Sequence, residues 1–342
     1  MGLLLNESMS TSNMTTIEVV PVVAAVIVFG TLVAIGTIAT AIFIAVLIKG
    51  RQKFVEFPFF VMVWHLTVAN AIHMVMVIST IMPIMLLEIG DDSPTRQWYI
   101  WGSRILDLTE QASLYFALLM TINRFAVFVF PVMLIAFARN RVMILSLLVW
   151  LYIIFIVAWN VCSGNTKRFS KDSLSMQETL LGSNVLTKFF TLSSTVLPIV
   201  MLIMYGIIFI IIIKKRSTIS GNSSSSEKDR SLLWQALAIS IMLELTKLTA
   251  IITPYFTGTD SWIQWCWTIF NYSTSILNQM VNPILFLTTN RMVRSVLRSF
   301  FRSSRDTTSE TCEGRKGETT ISHGQEHLGV VTKLDNVDRP MR

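Results

Sequence analysis

Seven apolar blocks constrain this chain before any single residue is considered. They run approximately Val20–Ile48, Phe57–Leu87, Tyr99–Pro131, Val142–Val161, Thr187–Ile213, Leu232–Phe256 and Trp262–Thr288. Each is about 20 residues or longer, the length a helix needs to cross roughly 30 Å of hydrocarbon. Backbone polar groups find no water there, so each block must close its own hydrogen bonds as a helix. Only 14% of the residues are charged and the mean hydropathy is +0.59. A soluble domain carries about 25% charged residues, so a soluble enzyme, a disordered chain and a disulfide scaffold are all excluded. The expected fold is an all-α membrane protein, a seven-transmembrane helix bundle over 20–288. A tail over 1–19 precedes it. An amphipathic juxtamembrane helix over 289–305 and a disordered tail over 306–342 follow.

The connections orient the bundle. Lys49–Glu56, Val132–Arg141, Lys214–Ser231 and Thr289–Arg305 together hold 15 Lys and Arg, against 4 in the alternate set. The positive-inside rule puts the basic set in the cytoplasm, so the N-terminus lies outside and the C-terminus inside a multi-pass plasma-membrane protein. The net charge of +7 follows from these loops, and a nucleic-acid partner is not expected. No basic region followed by an apolar core opens the chain, so no cleaved signal peptide is expected. Asn6 and Asn13 both begin Asn-x-Ser/Thr triplets on the outer tail and are candidate glycosylation sites. Cys162, Cys266 and Cys312 form no zinc pattern and no CxxC pair, and neither a metal nor a cofactor is expected. No internal repeat is found, which weakens readings built on duplicated transporter halves.

Two cytoplasmic segments read differently from the spans. Ser217–Ser231, with Gly221-Asn222 and four consecutive serines at Ser223–Ser226, is expected to be a flexible loop. The Ser/Thr-rich tail beyond Ser303 lacks the apolar residues for a core. Both could accept phosphate, and the tail could meet a kinase or arrestin. Between span seven and the tail, arginines at 291, 294, 298, 302 and 305 align on one helix face opposite Met292, Val293, Val296, Leu297, Phe300 and Phe301. Such a helix suits the inner leaflet, with anionic lipid as its partner.

Short motifs then narrow the family. Span three ends Met120-Thr121-Ile122-Asn123-Arg124-Phe125 before Pro131, similar to the Asp-Arg-Tyr element of rhodopsin-like G-protein-coupled receptors. Asn282-Pro283-Ile284-Leu285-Phe286 resembles Asn-Pro-x-x-Tyr, and Leu66-Thr67-Val68-Ala69-Asn70 resembles Leu-Ala-x-Ala-Asp. Pro254, Trp150 and Pro198 fit the same pattern. The departures are Asn123 for the acid, Phe125 and Phe286 for tyrosines, and Asn70 for the aspartate that holds sodium. No cysteine near the top of span three offers the usual disulfide. Cys162 and Cys266 read as two free thiols, with a pairing between them the alternative. Asn-Arg-Phe, the missing disulfide and the seven-span plan together most resemble the nematode chemosensory serpentine receptors of class x (Srx) or a neighbouring class. The resemblance implies a chemosensory receptor that binds a small molecule from outside and activates a heterotrimeric G protein. It implies coupling roles for Asn123, Arg124, Phe125, Asn70, Pro254, Asn278, Asn282, Pro283 and Phe286.

The residues themselves add detail. Arg124 at the inner end of an apolar helix is a boundary charge or a functional switch, since ionisable residues in spans are functional by default. Glu110, fourteen positions earlier, returns near the same helix face together with Ser113 and should point into the bundle. Two roles are open to it: a buried acid bonded to span seven, or a ligand contact. Asp107 should pair with Arg104 at i, i+3, and Glu244 with Lys247 in the same way. Asn271, Ser275, Asn278 and Asn282 share one face of span seven. Such stripes bind helices together, and the upper end could meet ligand. The candidate ligand contacts are Glu110, Ser113, Tyr255 and Asn271. Pro254 removes a helix hydrogen bond and is a candidate pivot. His65 and His73 read as packing residues. A transporter or ligand-gated channel is the second reading. An intramembrane enzyme is poorer, because the spans hold no Ser/His pair, no facing aspartates and no histidine cluster.

Overall fold

A computed structural model describes residues 4–86, 94–170, 175–179, 185–218, 223–256 and 261–300. The first span lies in α1 (Leu4–Lys49), and a short α2 (Arg51–Phe54) leads into α3 (Phe59–Met76). The second span continues through a π turn (Val77–Ile81) into α4 (Met82–Leu86). The third and fourth spans are α5 (Pro94–Phe128) and α6 (Arg139–Cys162), joined by a 3-10 turn (Pro131–Phe137). An antiparallel hairpin of β1 (Thr166–Ser170) and β2 (Ser175–Thr179) lies between the fourth and fifth spans, Thr166 opposite Thr179. Then come α7 (Val185–Thr218), α8 (Ser223–Phe256) and α9 (Ser261–Thr289), and a last helix, α10, covers 291–300. Among the described residues five helices are long and apolar enough to cross a membrane, and α8 and α9 complete a seven-helix bundle.

The packing order closes a ring. α1 touches α9 and α3, α3 touches α5, α5 touches α6 and α7, and α8 bridges α7 to α9. α5 also meets α8 and so runs through the middle. Outward faces stay apolar: Ile144, Leu147, Leu148, Leu151 and Phe155 on α6 are about half exposed. On a soluble protein that stripe would be an aggregation surface; against lipid it is the ordinary solution.

Three boundaries differ from expectation. α1 begins at Leu4 rather than near Val20, so Asn6 and Asn13 fall within a helix. The serine run Ser223–Ser226 opens α8 instead of lying in a loop. Both extensions continue an established helix, and propagation costs far less than nucleation. In α8, Glu227, Lys228, Arg230 and Leu232 are good helix formers. The third boundary concerns the arginine stripe. α10 is held to the bundle, with Val293 and Val296 buried in the inner core beside Phe43, Phe54 and Phe286. Asn290 caps it, its Oδ1 accepting from the Met292 and Val293 amides at 3.0 and 3.2 Å; such a cap is worth about 1 kcal/mol. Arg291 and Arg298 are exposed. Arg302, Arg305, the tail over 306–342 and Cys312 lie outside the described residues.

The π turn in span two has a sequence cause. Pro83 has no N–H and cannot serve the carbonyl of Ser79 four residues back. The Trp98 indole from α5 donates to that carbonyl instead, at 3.2 Å. The helix widens here, Met82 N–H bonding back to Val77 O. Opposite the turn α5 carries Gly102, where a Cβ would collide with Thr80 Oγ1 and lie 2.8 Å from its Cγ2. Gly102→Ala should therefore push α5 off the π turn and cost about 1–3 kcal/mol, the usual penalty of overpacking. A thermal midpoint of the purified protein equal to wild type would show that the contact yields freely.

Candidate functional site

α1, α3, the π turn, α5 and α9 line a cavity of about 170 Å³ toward the end of the bundle that carries the hairpin. Its apolar wall comes from Phe29, Val77, Ile81, Leu106, Tyr272 and Ile276. Phe29 and Tyr272 meet edge to face at 5.8 Å, which fixes the wall between α1 and α9. Its polar groups come from His73, Ser103, Asp107, Glu110, Asn271 and Ser275. The π turn contributes Val77 and Ile81, so the widening caused by Pro83 shapes the cavity directly.

Of the two roles open to Glu110, the structure shows the bond to span seven. Ser275 Oγ donates to Glu110 Oε1 at 2.7 Å, and the carboxylate also faces the cavity. Asn271 sits one turn above Ser275 and lines the cavity as well. Asp107 pairs with Arg104 at 3.8 Å, as the i, i+3 spacing predicted. Arg104 is almost fully buried and donates to the backbone carbonyl of Asn165, tying the residue before β1 to α5. His73 is the residue that sequence reasoning missed. It is 2% exposed and lines the cavity, with Nδ1 3.0 Å from Thr109 Oγ1. The Thr109 hydroxyl gives its proton to the Leu106 carbonyl at 2.8 Å. His73 must then donate from Nδ1, which leaves Nε2 an acceptor in the neutral ring. One signal was available: His73 is one turn from Asn70 on the buried face of α3. His65 does pack, its ring stacked on Phe116 with centroids 5.5 Å apart and its Nδ1 accepting from Trp150.

Two candidate ligand contacts lie elsewhere. Tyr255, in the last turn of α8, is 80% exposed and is not among the residues that line the cavity. Ser113 is one turn below Glu110 and belongs to a polar knot beneath the cavity. It lies 2.7 Å from Gln279 Oε1, 3.0 Å from Thr109 O and 3.3 Å from Asn70 Oδ1. Pro254, the candidate pivot, falls in the last turn of α8. There it can redirect only the final residues, not the span. Glu244 and Lys247 form no ion pair, and Glu244 Oε2 is buried without a hydrogen-bond partner among the described residues. The i, i+3 spacing alone does not bring their charged groups within ion-pair distance. Cys162 and Cys266 are both free and exposed.

The knot explains the departure at Asn70. Pro283 in α9 cannot donate to the carbonyl of Gln279 four residues back. Asn70 Nδ2 supplies the missing donor at 2.9 Å, joining α3 to α9. An ionised aspartate has no proton to give. Asn70→Asp should therefore set a carboxylate against a carbonyl and lower stability by about 1–3 kcal/mol, the cost of leaving buried polar atoms unsatisfied. An unaltered thermal midpoint for the purified variant would remove the donor role. Gln279 Nε2 and Asn282 Oδ1, also buried here, have no hydrogen-bond partner among the described residues, which is the setting ordered water fills. Asn278 is buried at the same level. No group of three or more His, Cys, Asp or Glu suited to a metal occurs among the described residues.

Near its C-terminal end, α5 carries Asn123, Arg124 and Phe125. Asn123 is buried, and Phe125 packs near Tyr205 and Ile208 of α7. Arg124 holds its guanidinium carbon 4.3 Å from the centroid of the Phe59 ring, at the first residue of α3. Phe59 in turn lies 6.1 Å from Phe286, which stacks on Phe43 at 5.3 Å. Arginine, the α9 motif and α1 are thus joined through aromatic faces. Thr121 Oγ1 and Tyr205 OH, one turn above, are 3.1 Å apart. Beyond Arg124 the chain leaves an apolar surface: Phe130, Val132, Met133 and Ile135 are each about half exposed or more. Arg139 and Arg141 border it, both exposed. Sequence reading counted only the basic residues of this connection, although its run of apolar residues was visible.

The comparisons follow from this geometry. The family model described as serpentine type 7TM GPCR chemoreceptor Srx matches residues 31–310, which takes in the cavity residues other than Phe29, the polar knot, the Arg124 cluster and α10. No curated protein matches the chain. The match spans well over half of the sequence, and the chain belongs to the serpentine type 7TM GPCR chemoreceptor family Srx.

Proposed function

We propose that this protein is a chemosensory receptor at the plasma membrane that binds a small molecule in the outer cavity and activates a heterotrimeric G protein at its inner face. The observation that carries the reading is that α5 and α9 line both sites. Glu110 and Ser275 pair at the cavity, Ser113 and Gln279 meet below it, and Arg124 and Phe286 share the Phe59 ring at the bottom. A ligand that favours one relative position of these helices shifts the population at the inner end by its differential affinity. The exposed apolar surface over 130–135, bordered by arginines, suits a protein partner better than water. The proposal involves binding alone, and no covalent step is assigned to any residue.

The test is expression of the full chain in cells carrying a promiscuous G protein, challenged with a panel of small molecules. Ligand-dependent activation supports the reading. Ligand-gated current or uptake without activation would favour a channel or transporter. Orientation is tested separately. The basic-residue asymmetry places Asn6 and Asn13 outside, where they are candidate glycan acceptors, and the C-terminus inside. Glycosidase treatment should shift the mobility of wild type, and Asn6→Gln and Asn13→Gln should each reduce the shift. A C-terminal epitope reachable on intact cells would overturn this topology.

A further inference from the structure

We infer that the end of the bundle holding Arg124 carries a site for a membrane lipid with a multiply phosphorylated headgroup, formed jointly by the α1–α2 joint and α10. The inference goes beyond the receptor reading and needs neither a cavity ligand nor a G protein. Residues 49–57 and 291–300 together hold six lysines and arginines against one acid, Glu56. The fold brings the two segments together. Val293 and Val296 of α10 are buried in one core with Val46 and Leu47 of α1 and Phe54 of α2. Lys49 Nζ, on the last residue of α1, lies 4.7 Å from the centroid of the Phe300 ring. Arg51 and Lys53 on α2 and Arg298 on α10 are exposed, so the charges of both segments stay at the surface while their apolar faces pack.

Arg294 carries the argument furthest. The residue is half-buried, and its Nε is shielded from solvent with no hydrogen-bond partner among the described residues. A buried donor left unsatisfied is costly, and a guanidinium is best satisfied by an anion. Arg298 follows at i+4 on the same side of the helix, close enough for the two to share one phosphate. Arg51 and Lys53, across the joint, form a second cationic pair. A headgroup with a single charge serves only one of these pairs. A phosphoinositide with two phosphomonoesters, each carrying about −1.5 to −2 charges at neutral pH, serves both. The rim of the site selects a lipid over free phosphate. Ile48, Phe57 and Phe300 are exposed apolar residues of the same two segments, suited to the acyl boundary just beneath the headgroups.

The experiment titrates the purified full-length protein in detergent with lipids of one acyl composition and counts bound lipid by native mass spectrometry. The probes are phosphatidylserine, phosphatidylinositol and phosphatidylinositol 4,5-bisphosphate, with soluble inositol 1,4,5-trisphosphate as competitor. The bisphosphate should half-saturate one site at a concentration at least about tenfold below the other two lipids. Each cation near an anionic headgroup contributes about fivefold, so Arg294→Gln with Arg298→Gln should weaken binding about 25-fold. Arg51→Gln with Lys53→Gln should do the same. Arg294→Lys with Arg298→Lys keeps both charges and should retain most of the binding, which separates loss of the site from loss of the fold. Lys188→Gln, an exposed cation near the start of α7, should change little. Equal affinity for phosphatidylserine and the bisphosphate would overturn the inference, and so would competition by the soluble trisphosphate as effective as the lipid itself. A loss confined to one of the two glutamine pairs would also overturn it, because the headgroup would then rest on a single segment.

Discussion

Arg124→Ala should abolish agonist-driven nucleotide exchange while leaving surface level and ligand binding close to wild type. Arg124 lies near the C-terminal end of α5, about four helical turns below Glu110, so its truncation does not reach the cavity. A central arginine at a protein interface commonly contributes about 2 kcal/mol or more, a loss of at least about thirtyfold in coupling. The measurement is exchange per receptor at matched surface expression, with binding followed in parallel. Normal exchange would reduce Arg124 to a boundary charge of the positive-inside kind.

Phe59 should have the opposite effect. With Asn123 in place of an acid, the residue preceding Arg124 cannot form an ion pair with it, and the guanidinium instead lies over the Phe59 ring at 4.3 Å. A desolvated cation–π contact is worth about 1–2 kcal/mol. If Arg124 must leave this ring to meet a partner, Phe59→Ala removes that cost and should raise ligand-independent exchange about five- to thirtyfold. Phe59→Tyr keeps the aromatic face and should remain near wild type, whereas Phe59→Leu, which keeps bulk but no ring, should resemble alanine. Basal exchange equal in wild type, Phe59→Leu and Phe59→Ala at matched surface level would show that the ring merely packs against Phe60 and Phe286.

Much of the site's backbone geometry comes from two prolines, and the two were legible to different degrees. Pro283 was recognised as part of a motif, but its physical consequence, a free carbonyl at Gln279, becomes useful only because α3 brings Asn70 to it. Pro83 was passed over inside a continuous apolar block. Its free carbonyl at Ser79 is met by Trp98 from another helix, and the π turn that results builds part of the cavity. A sequence shows which N–H is missing. It does not show which donor will arrive.

The same division holds across the molecule. Block length, apolar composition and the sidedness of Lys and Arg determined seven helices, because the cost of burying backbone or charge in hydrocarbon is local and large. Helical phase was enough to turn Glu110 and Asn271 inward, since a helix face is a property of one segment. Tyr255 and Ser113 show the limit of that argument, for one is exposed and outside the cavity lining and the other is sealed beneath the cavity. The lack of an ion pair between Glu244 and Lys247, the placing of His73 in the cavity wall and the seat of Arg124 on Phe59 were decided by the tertiary structure alone. Each depends on which side chain a neighbouring helix presents at a given depth, and that follows from how the helices pack rather than from the pattern within any one of them.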